Sequence, residues 1–565
     1  MRGQQQPRKR TKANSSRLSP QRRRQNHKSR SLAITVGGAL LLIVGGAIAF
    51  ALLQGRSGGR KAFGPTALLP QDTLLSVTVS TNIGQWKALT KLGTEQSQKN
   101  LQTNLQDIEK TVLTQGLSYE ENIAPWVGDQ ITMAFLPPTA ESGPEFEDQA
   151  TIWILPVRNS GRAKKLFIEK LATSGNQAQS RTYQDVEIQE FQLEDQQYAI
   201  ATPDKRNLVF TAAGAPIDQV IDTLKGKPSI SATPRFTEAI SEIGASSPLA
   251  QIYINMPLAT AQLAAGSNQP ISEASLARIQ EVRGLGSTVT LDADDTLNFK
   301  TITWLDPEAK YPLVVKNDAA GMAKRLPANT LMMASGGNFQ ELWQAYAKGT
   351  SAKLIVPFNP KSWTDSFVEL TGIDFNTTFI PWLDRKFAGA IVPAQDNNDQ
   401  NIGLVALAQT SDSTAALQAF KQLDDAVREQ RDFQIAESKI DKSSVITWKV
   451  PPGLPIASHG SLSDKTMFFT IGAPVPIAKQ LVESQSSLNQ AELFKDATQS
   501  SLKSHNGQFF VHVPRMLKVM DTNPLFPKIA PGTQEYAQGI EAIGMTTAIS
   551  SPWSARYDIR VKLKN

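Results

Sequence analysis

Residues 125–137, PWVGDQITMAFLP, return at 381–393 as PWLDRKFAGAIVP, and this pair of segments decides how the rest of the 565-residue chain reads. In both, a Pro-Trp step leads into an apolar run of strand character that stops at another proline. Outward from it the agreement continues in order, about 257 residues on, the mark of an internal duplication. Upstream, LPQDTL at 69–74 answers LPANTL at 326–331, and Trp86 answers Trp343. Downstream, Gly214-Ala215-Pro216 answers Gly472-Ala473-Pro474, and Phe236 answers Phe494. QIYINMP at 251–257 answers QFFVHVP at 508–514, and Gly286 answers Gly544. Two tryptophan pairs in one register are hard to obtain by accident.

Periodicity supplies the elements of each unit, strands from β-branched and aromatic runs and helices from apolar residues three to four apart. In the first unit it predicts strands at 73–80, 130–137, 151–157, 186–191, 197–202, 208–212 and 250–256. A terminal hairpin follows at 287–292 and 297–304, with helices between, including one over 161–173. The second unit ends on a like pair at 546–550 and 555–562. The expected fold class is α+β, with two tandem homologous domains of mostly antiparallel sheet over 65–310 and 325–565, joined by a linker at 311–324.

Ahead of them, residues 32–53, LAITVGGALLLIVGGAIAFALL, carry no charge. As a helix rising about 1.5 Å per residue this stretch measures ~33 Å, enough for a hydrocarbon core, and it is expected to be a transmembrane helix. Ala47-Ile48-Ala49 offers a cleavage pattern, but the apolar run continues through residue 53 and outlasts a signal-peptide core of about 7–15 residues, so the segment is read as retained. Residues 1–30 hold eleven Lys or Arg and no acid, which places the N-terminus in the cytoplasm by the positive-inside rule. The tail 1–31 is therefore expected to be a disordered cytoplasmic segment, 54–64 a linker, and the remainder non-cytoplasmic.

The net charge of +6 hides this asymmetry. Fourteen of the 58 basic residues lie at or before Lys61, leaving 44 against 52 acidic residues beyond it, so the bulk of the chain is mildly acidic. The tail would contact anionic lipid headgroups, and it has no aromatic residue to stack on bases, so specific nucleic-acid binding is set aside. There are no cysteines, which excludes disulfides, thiolate catalysis and cysteine-ligated metals.

Candidate chemistry is sparse. The four histidines are His27, His459, His505 and His512. His27 lies in the tail, and His459 and His505 sit beside glycine or asparagine and read as loop residues. His512 alternates with Phe509, Val511 and Val513 and reads as a partly solvated strand residue, in the place of Asn255 in the first unit. Asp292-Ala293-Asp294-Asp295 begins like a calcium loop, but positions six and twelve are Leu297 and Thr303 where Gly and Glu are needed, so a hairpin turn fits better. Residues 395–401, QDNNDQN, offer oxygen ligands but suit a solvated connection. Glu120-Glu121 and Asp424-Asp425 read as exposed carboxylate pairs, and Trp126 and Trp382 as core residues. No nucleophile elbow, Walker A loop or dinucleotide fingerprint is present, so no catalytic, cofactor or metal residue is assigned.

The apolar span followed by ALLPQDTLL at 67–75, the two Pro-Trp segments, APIDQVIDTL at 215–224 and QIYINMP at 251–257 carry a resemblance over most of 65–565. In these the chain resembles a family of cyanobacterial single-pass membrane proteins of unknown function, domain of unknown function 3352. The resemblance implies a periplasmic or thylakoid-lumenal location for the duplicated part and transfers no active site. The expected role is a membrane-anchored module that binds a partner protein or organises the envelope. The alternatives are an envelope hydrolase using carboxylates and a nucleic-acid or lipid tether acting through the basic tail.

Overall fold

A computed structural model describes residues 64–565, apart from 113–118, 138–149, 166–178, 194–195, 213–214, 267–279, 311, 348–359, 396–397, 463–464, 484–485, 525 and 527. Ten strands belong to the first copy: β1 (Leu75–Ser80), β2 (Gln130–Phe135), β3 (Thr151–Pro156), β4 (Gln179–Tyr183), β5 (Val186–Leu193), β6 (Gln196–Ala201), β7 (Asn207–Ala212), β8 (Ala250–Asn255), β9 (Val282–Leu291) and β10 (Thr296–Leu305). Ten more belong to the second: β11 (Met332–Gly336), β12 (Phe387–Gln395), β13 (Asn398–Gln409), β14 (Gln434–Ile440), β15 (Ser443–Val450), β16 (Leu454–Leu462), β17 (Thr466–Ile471), β18 (Gly507–His512), β19 (Ile540–Ser551) and β20 (Ser554–Leu563).

Every pairing is antiparallel, and both copies follow one order. The first runs β4-β5-β6-β7-β3-β2-β1-β8-β9-β10. The second runs β14-β15-β16-β17-β13-β12-β11-β18-β19-β20. They meet at their last strands, β10 against β20, so all twenty strands form one sheet. Lys300 faces Asp558 in that junction. The registers of the two terminal hairpins make these residues counterparts, so an approximate two-fold axis passes between them.

Helices cover both faces, because strands apolar on both sides must bury both. β1, LSVTVS, is buried along almost its whole length: Val77 and Val79 point to the face we call the front, and Ser76 and Thr78 to the back. On the back of the first copy, helices Ala215–Leu224 and Phe236–Glu242 pack on Ala134, Ile152, Ile154 and Trp304. On the back of the second, Pro474–Glu483 and Glu492–Thr498 pack on Met333, Ala390, Val405 and Phe510. Helix Ser413–Arg431 illustrates the local logic on the front. Asp412 caps it by accepting from Ala415 N at 2.9 Å, its buried residues Ala416, Ala419, Phe420, Leu423 and Val427 recur every three to four positions, and Asp432 ends it in the left-handed region.

Two expectations are corrected. Two domains with sheets of their own were expected; the second copy instead continues the sheet of the first. Like strands pair across an axis, and each satisfies an edge that would otherwise expose unpaired backbone groups. A transmembrane helix was expected to head the fold and fix a single-pass location, with the N-terminus cytoplasmic and the bulk periplasmic or thylakoid-lumenal. No helix among the described residues is long and apolar enough to cross a membrane, and the span 32–53 on which that reading rested lies outside them.

Candidate functional site

Register places counterpart side chains in matching rows. Across the front of the first copy runs Ile252–Val77–Met133–Trp153–Phe210, on β8, β1, β2, β3 and β7. The same row in the second copy is Phe509–Ala334–Gly389–Ala406–Phe469, on β18, β11, β12, β13 and β17. Its three central residues are Ala, Gly and Ala where the first copy has Val, Met and Trp. All three are exposed, and a Cβ at Gly389 would meet nothing within 4 Å. One row along, Leu404 and Ile471 face each other on β13 and β17, each 50 % exposed.

Exposed apolar neighbours on interior strands mean that no helix among the described residues lies over them. The front core of the first copy is continuous from Val77 through Trp86 and Trp126 to Phe299. In the second copy it splits. One cluster, with Phe379, Trp382, Phe420 and Trp448, lies beneath helix Ser413–Arg431; another, with Leu331, Ile391, Met516 and Val519, lies beneath helix Val513–Thr522. The small-residue row is the floor between them.

The walls are aromatic on one side. Phe469 stacks on Phe420 at 6.3 Å, and Phe420 on His459 at 4.5 Å with the rings 8° apart. At one end Phe387 lies over Gly336 and meets Phe339 edge-on at 5.2 Å. At the other, Arg515 donates to Asp399 Oδ1 from Nε at 3.0 Å and from Nη2 at 2.6 Å, and to the Asn329 carbonyl from Nη1 at 3.3 Å. Asp399 is buried, so the pair neutralises itself where the helix crosses the sheet.

Behind the aromatic wall Asp424 is buried against β15 and β16. Trp448 Nε1 donates to its Oδ1 at 2.6 Å, and His459 Nε2 lies 2.8 Å from the same oxygen. These contacts fasten helix Ser413–Arg431 to the sheet and keep Phe420 against Phe469. Both members differ from their sequence reading. His459 is a buried strand residue, not a loop residue: its place opposite Phe469 is that of Ile200 opposite Phe210. Asp424 is not an exposed carboxylate; only its neighbour Asp425 reaches the surface, paired with Arg428 at 3.0 Å.

Apart from Asp399 at the end of the floor, the other described candidates do not converge on it. The Asp292–Asp295 turn links β9 to β10, and Arg560 of the second copy holds two of its carboxylates, Asp292 at 2.9 Å and Asp294 at 2.8 Å. Glu120 and Glu121 are exposed on the single turn Tyr119–Ile123. Of the 395–401 stretch, Asp399 is held by Arg515, and 396–397 lie outside the described residues, as does His27. Trp126 is buried in the first-copy front core and donates from Nε1 to Asn122 O at 2.7 Å, and Trp382 is buried beneath helix Ser413–Arg431. His505 lies half-buried in the loop before β18; burial, with Lys386 adding, lowers its affinity for a proton.

His512, at the end of β18, is held below the ordinary imidazole value by burial first and by Arg515 second, with Asp399 opposing. The folded state therefore refuses a proton that the unfolded chain accepts at about pH 6.5. Its contribution is complete above that pH and declines as pH falls through it. His512→Asn, which installs the first-copy residue, is expected to shrink the loss of urea midpoint between pH 7.5 and 5.5. An unchanged loss would show that His512 is not among the groups responsible.

Sequence reading did not single out the residues of the basin. One sign of it stood in the two quoted segments, where Met133 is matched by Gly389. Ala334 and Ala406 acquire meaning only from the register that puts them beside that glycine.

No curated protein matches the chain. A solved structure, "Structure of crystal form I of TP0453", is similar at 11 % identity over 44 % of this chain and 82 % of that one. Its TM-score of 0.25 carries no argument about the fold. The family described as "Protein of unknown function (DUF3352)" matches residues 34–563, nearly the whole duplicated architecture described above, and the chain belongs to that family.

Proposed function

We propose that this protein is a binding module whose ligand surface is the front of the second copy, between helices Ser413–Arg431 and Val513–Thr522. The observation that carries the reading is the row Ala334–Gly389–Ala406, in which one copy of a duplicated sheet lacks the bulk that the other has at Val77–Met133–Trp153. Where the first copy packs large side chains, the second leaves apolar surface facing water. That costs about 25 cal/mol for each Å² that could have been covered, so an occupant that covers it is favoured. The polar groups nearest the floor are engaged with one another: Arg515 with Asp399, and Asp424 with His459 and Trp448. Recognition is therefore by shape and apolar contact.

The test returns first-copy side chains to the floor. Full-length protein is expected to bind Nile red with a rise in fluorescence, and the double variant Gly389→Met/Ala406→Trp to bind it about tenfold more weakly. Because both positions face open space, the unfolding free energy of the variant should stay within about 0.5 kcal/mol of the parent. Equal dye binding by a variant of unchanged stability, or none by the parent, would remove the basin as the ligand surface.

A further inference from the structure

The class of occupant follows from what the floor can and cannot offer. β11, β12 and β13 are each hydrogen-bonded on both sides, β11 by β12 and β18, β12 by β11 and β13, β13 by β12 and β17. Their backbone groups are spent on one another, so a peptide laid across them would give up its bonds to water without replacement. Met332, Leu404, Ile471, Phe469 and Phe509 line the floor and carry no strong hydrogen-bonding group, so a sugar or a nucleotide would fare no better.

The floor is too small to hold a folded partner by itself. From Phe469 to Phe509 is four strand spacings of ~4.8 Å, and from the Ile391 row to the Phe387 row four residues of ~3.4 Å, an area of ~260 Å². A stable protein–protein interface needs about 800 Å² from each partner. The floor is longer across the strands than along them, only small residues stand between its two aromatic ends, and its end charges are already paired. That is a trough for something long, narrow and without hydrogen-bonding needs.

We propose that the basin takes a single unbranched hydrocarbon chain, such as that of a free long-chain fatty acid, lying across β13, β12 and β11 with its headgroup in water. The proposal rests on the basin being the ligand surface, and its test separates the two. Full-length protein loaded with Nile red is titrated with monomeric palmitate, with adamantane carboxylate, which bears the same headgroup on a compact cage, and with a short apolar peptide. Palmitate is expected to release the dye at about one-tenth of the concentration the cage acid needs, and the peptide to release none. Direct binding of radiolabelled palmitate should fall about tenfold in Gly389→Met/Ala406→Trp. Dye that binds but leaves as readily for the cage acid or the peptide overturns the chain and keeps the basin. A dye signal that falls as the protein self-associates names a second copy as the occupant and likewise overturns the chain. Dye that never binds overturns both.

Discussion

Gly544→Ala is expected to destabilise the protein by about 3 kcal/mol, while Gly286→Ala, the same change at the matching place in the first copy, costs about 1 kcal/mol. A Cβ at Gly544 on β19 would collide with the carbonyl of Ala497 and lie 3.0 Å from Thr498 N. These are backbone atoms at the end of helix Glu492–Thr498, which packs on β19 and β20. They can retreat only if the helix moves as a body, and Phe494 and Ala497 are buried in the back core beneath it. At Gly286 the added carbon meets the Cδ1 of Ile240, the far end of a side chain that can change rotamer. Urea denaturation of the two variants, followed by tryptophan fluorescence, measures the contrast. Equal costs would show that the helix yields as easily as one isoleucine side chain, contrary to the packing described.

The second large effect lies at the seam where β20 joins the two copies. Asp558→Ala should cost about 3–5 kcal/mol, the range for removing one partner from a buried, hydrogen-bonded ion pair. Asp558 is 3 % exposed and accepts from Ser500 Oγ at 2.7 Å, Ser501 N at 3.1 Å, Ser501 Oγ at 3.0 Å and Arg556 Nη2 at 3.2 Å. Truncation leaves the Arg556 guanidinium largely buried without its carboxylate and frees the turn that follows helix Glu492–Thr498. Asp558→Asn keeps an oxygen for the serine donors and should lose less than half as much. The expected readout is a lower midpoint in both, in that order. A cost for Asp558→Ala below about 1 kcal/mol would mean that water replaces the lost partners and that the seam is held by backbone pairing alone.

The second effect sits where the copies differ. Lys300 and Ile302 stand in the first copy where Asp558 and Arg560 stand in the second. The axis thus joins an apolar back face, in which Ile302 is wholly buried, to one in which Arg560 reaches across to Asp292 and Asp294 of the other copy. The turn that resembled the start of a calcium loop gives its carboxylates to that arginine. From sequence alone the acids were visible and the guanidinium, more than 260 positions away, was not.

Local features were legible in proportion to how local their causes are. β2, β3, β7, β8 and β10 could be found from β-branched and aromatic runs because the burial that selects those residues acts on each strand by itself. β4, QSRTY, gave no such signal: as a terminal strand of the sheet it is largely solvated, and its polar side chains protect an edge. β16, LPIASHGSL, hid His459 for a related reason. Small and polar residues there are buried by helices on both faces, Pro474–Glu483 on one and Ser413–Arg431 on the other, and Asp424 satisfies the histidine, so hydrophobicity does not report the burial.

The sequence by itself determined that the chain is written twice, where most strands lie and which cysteine-dependent chemistries are closed to it. Those follow from residue order and composition, which need no partner. That the copies share one sheet through Lys300 and Asp558, and that Ala334, Gly389 and Ala406 form one open floor, was decided only by the tertiary structure. Strand pairing sets residues side by side that lie 55 and 17 apart in the floor and 258 apart at the axis, and whether a small residue is a void or a filled site depends on the neighbour that register supplies.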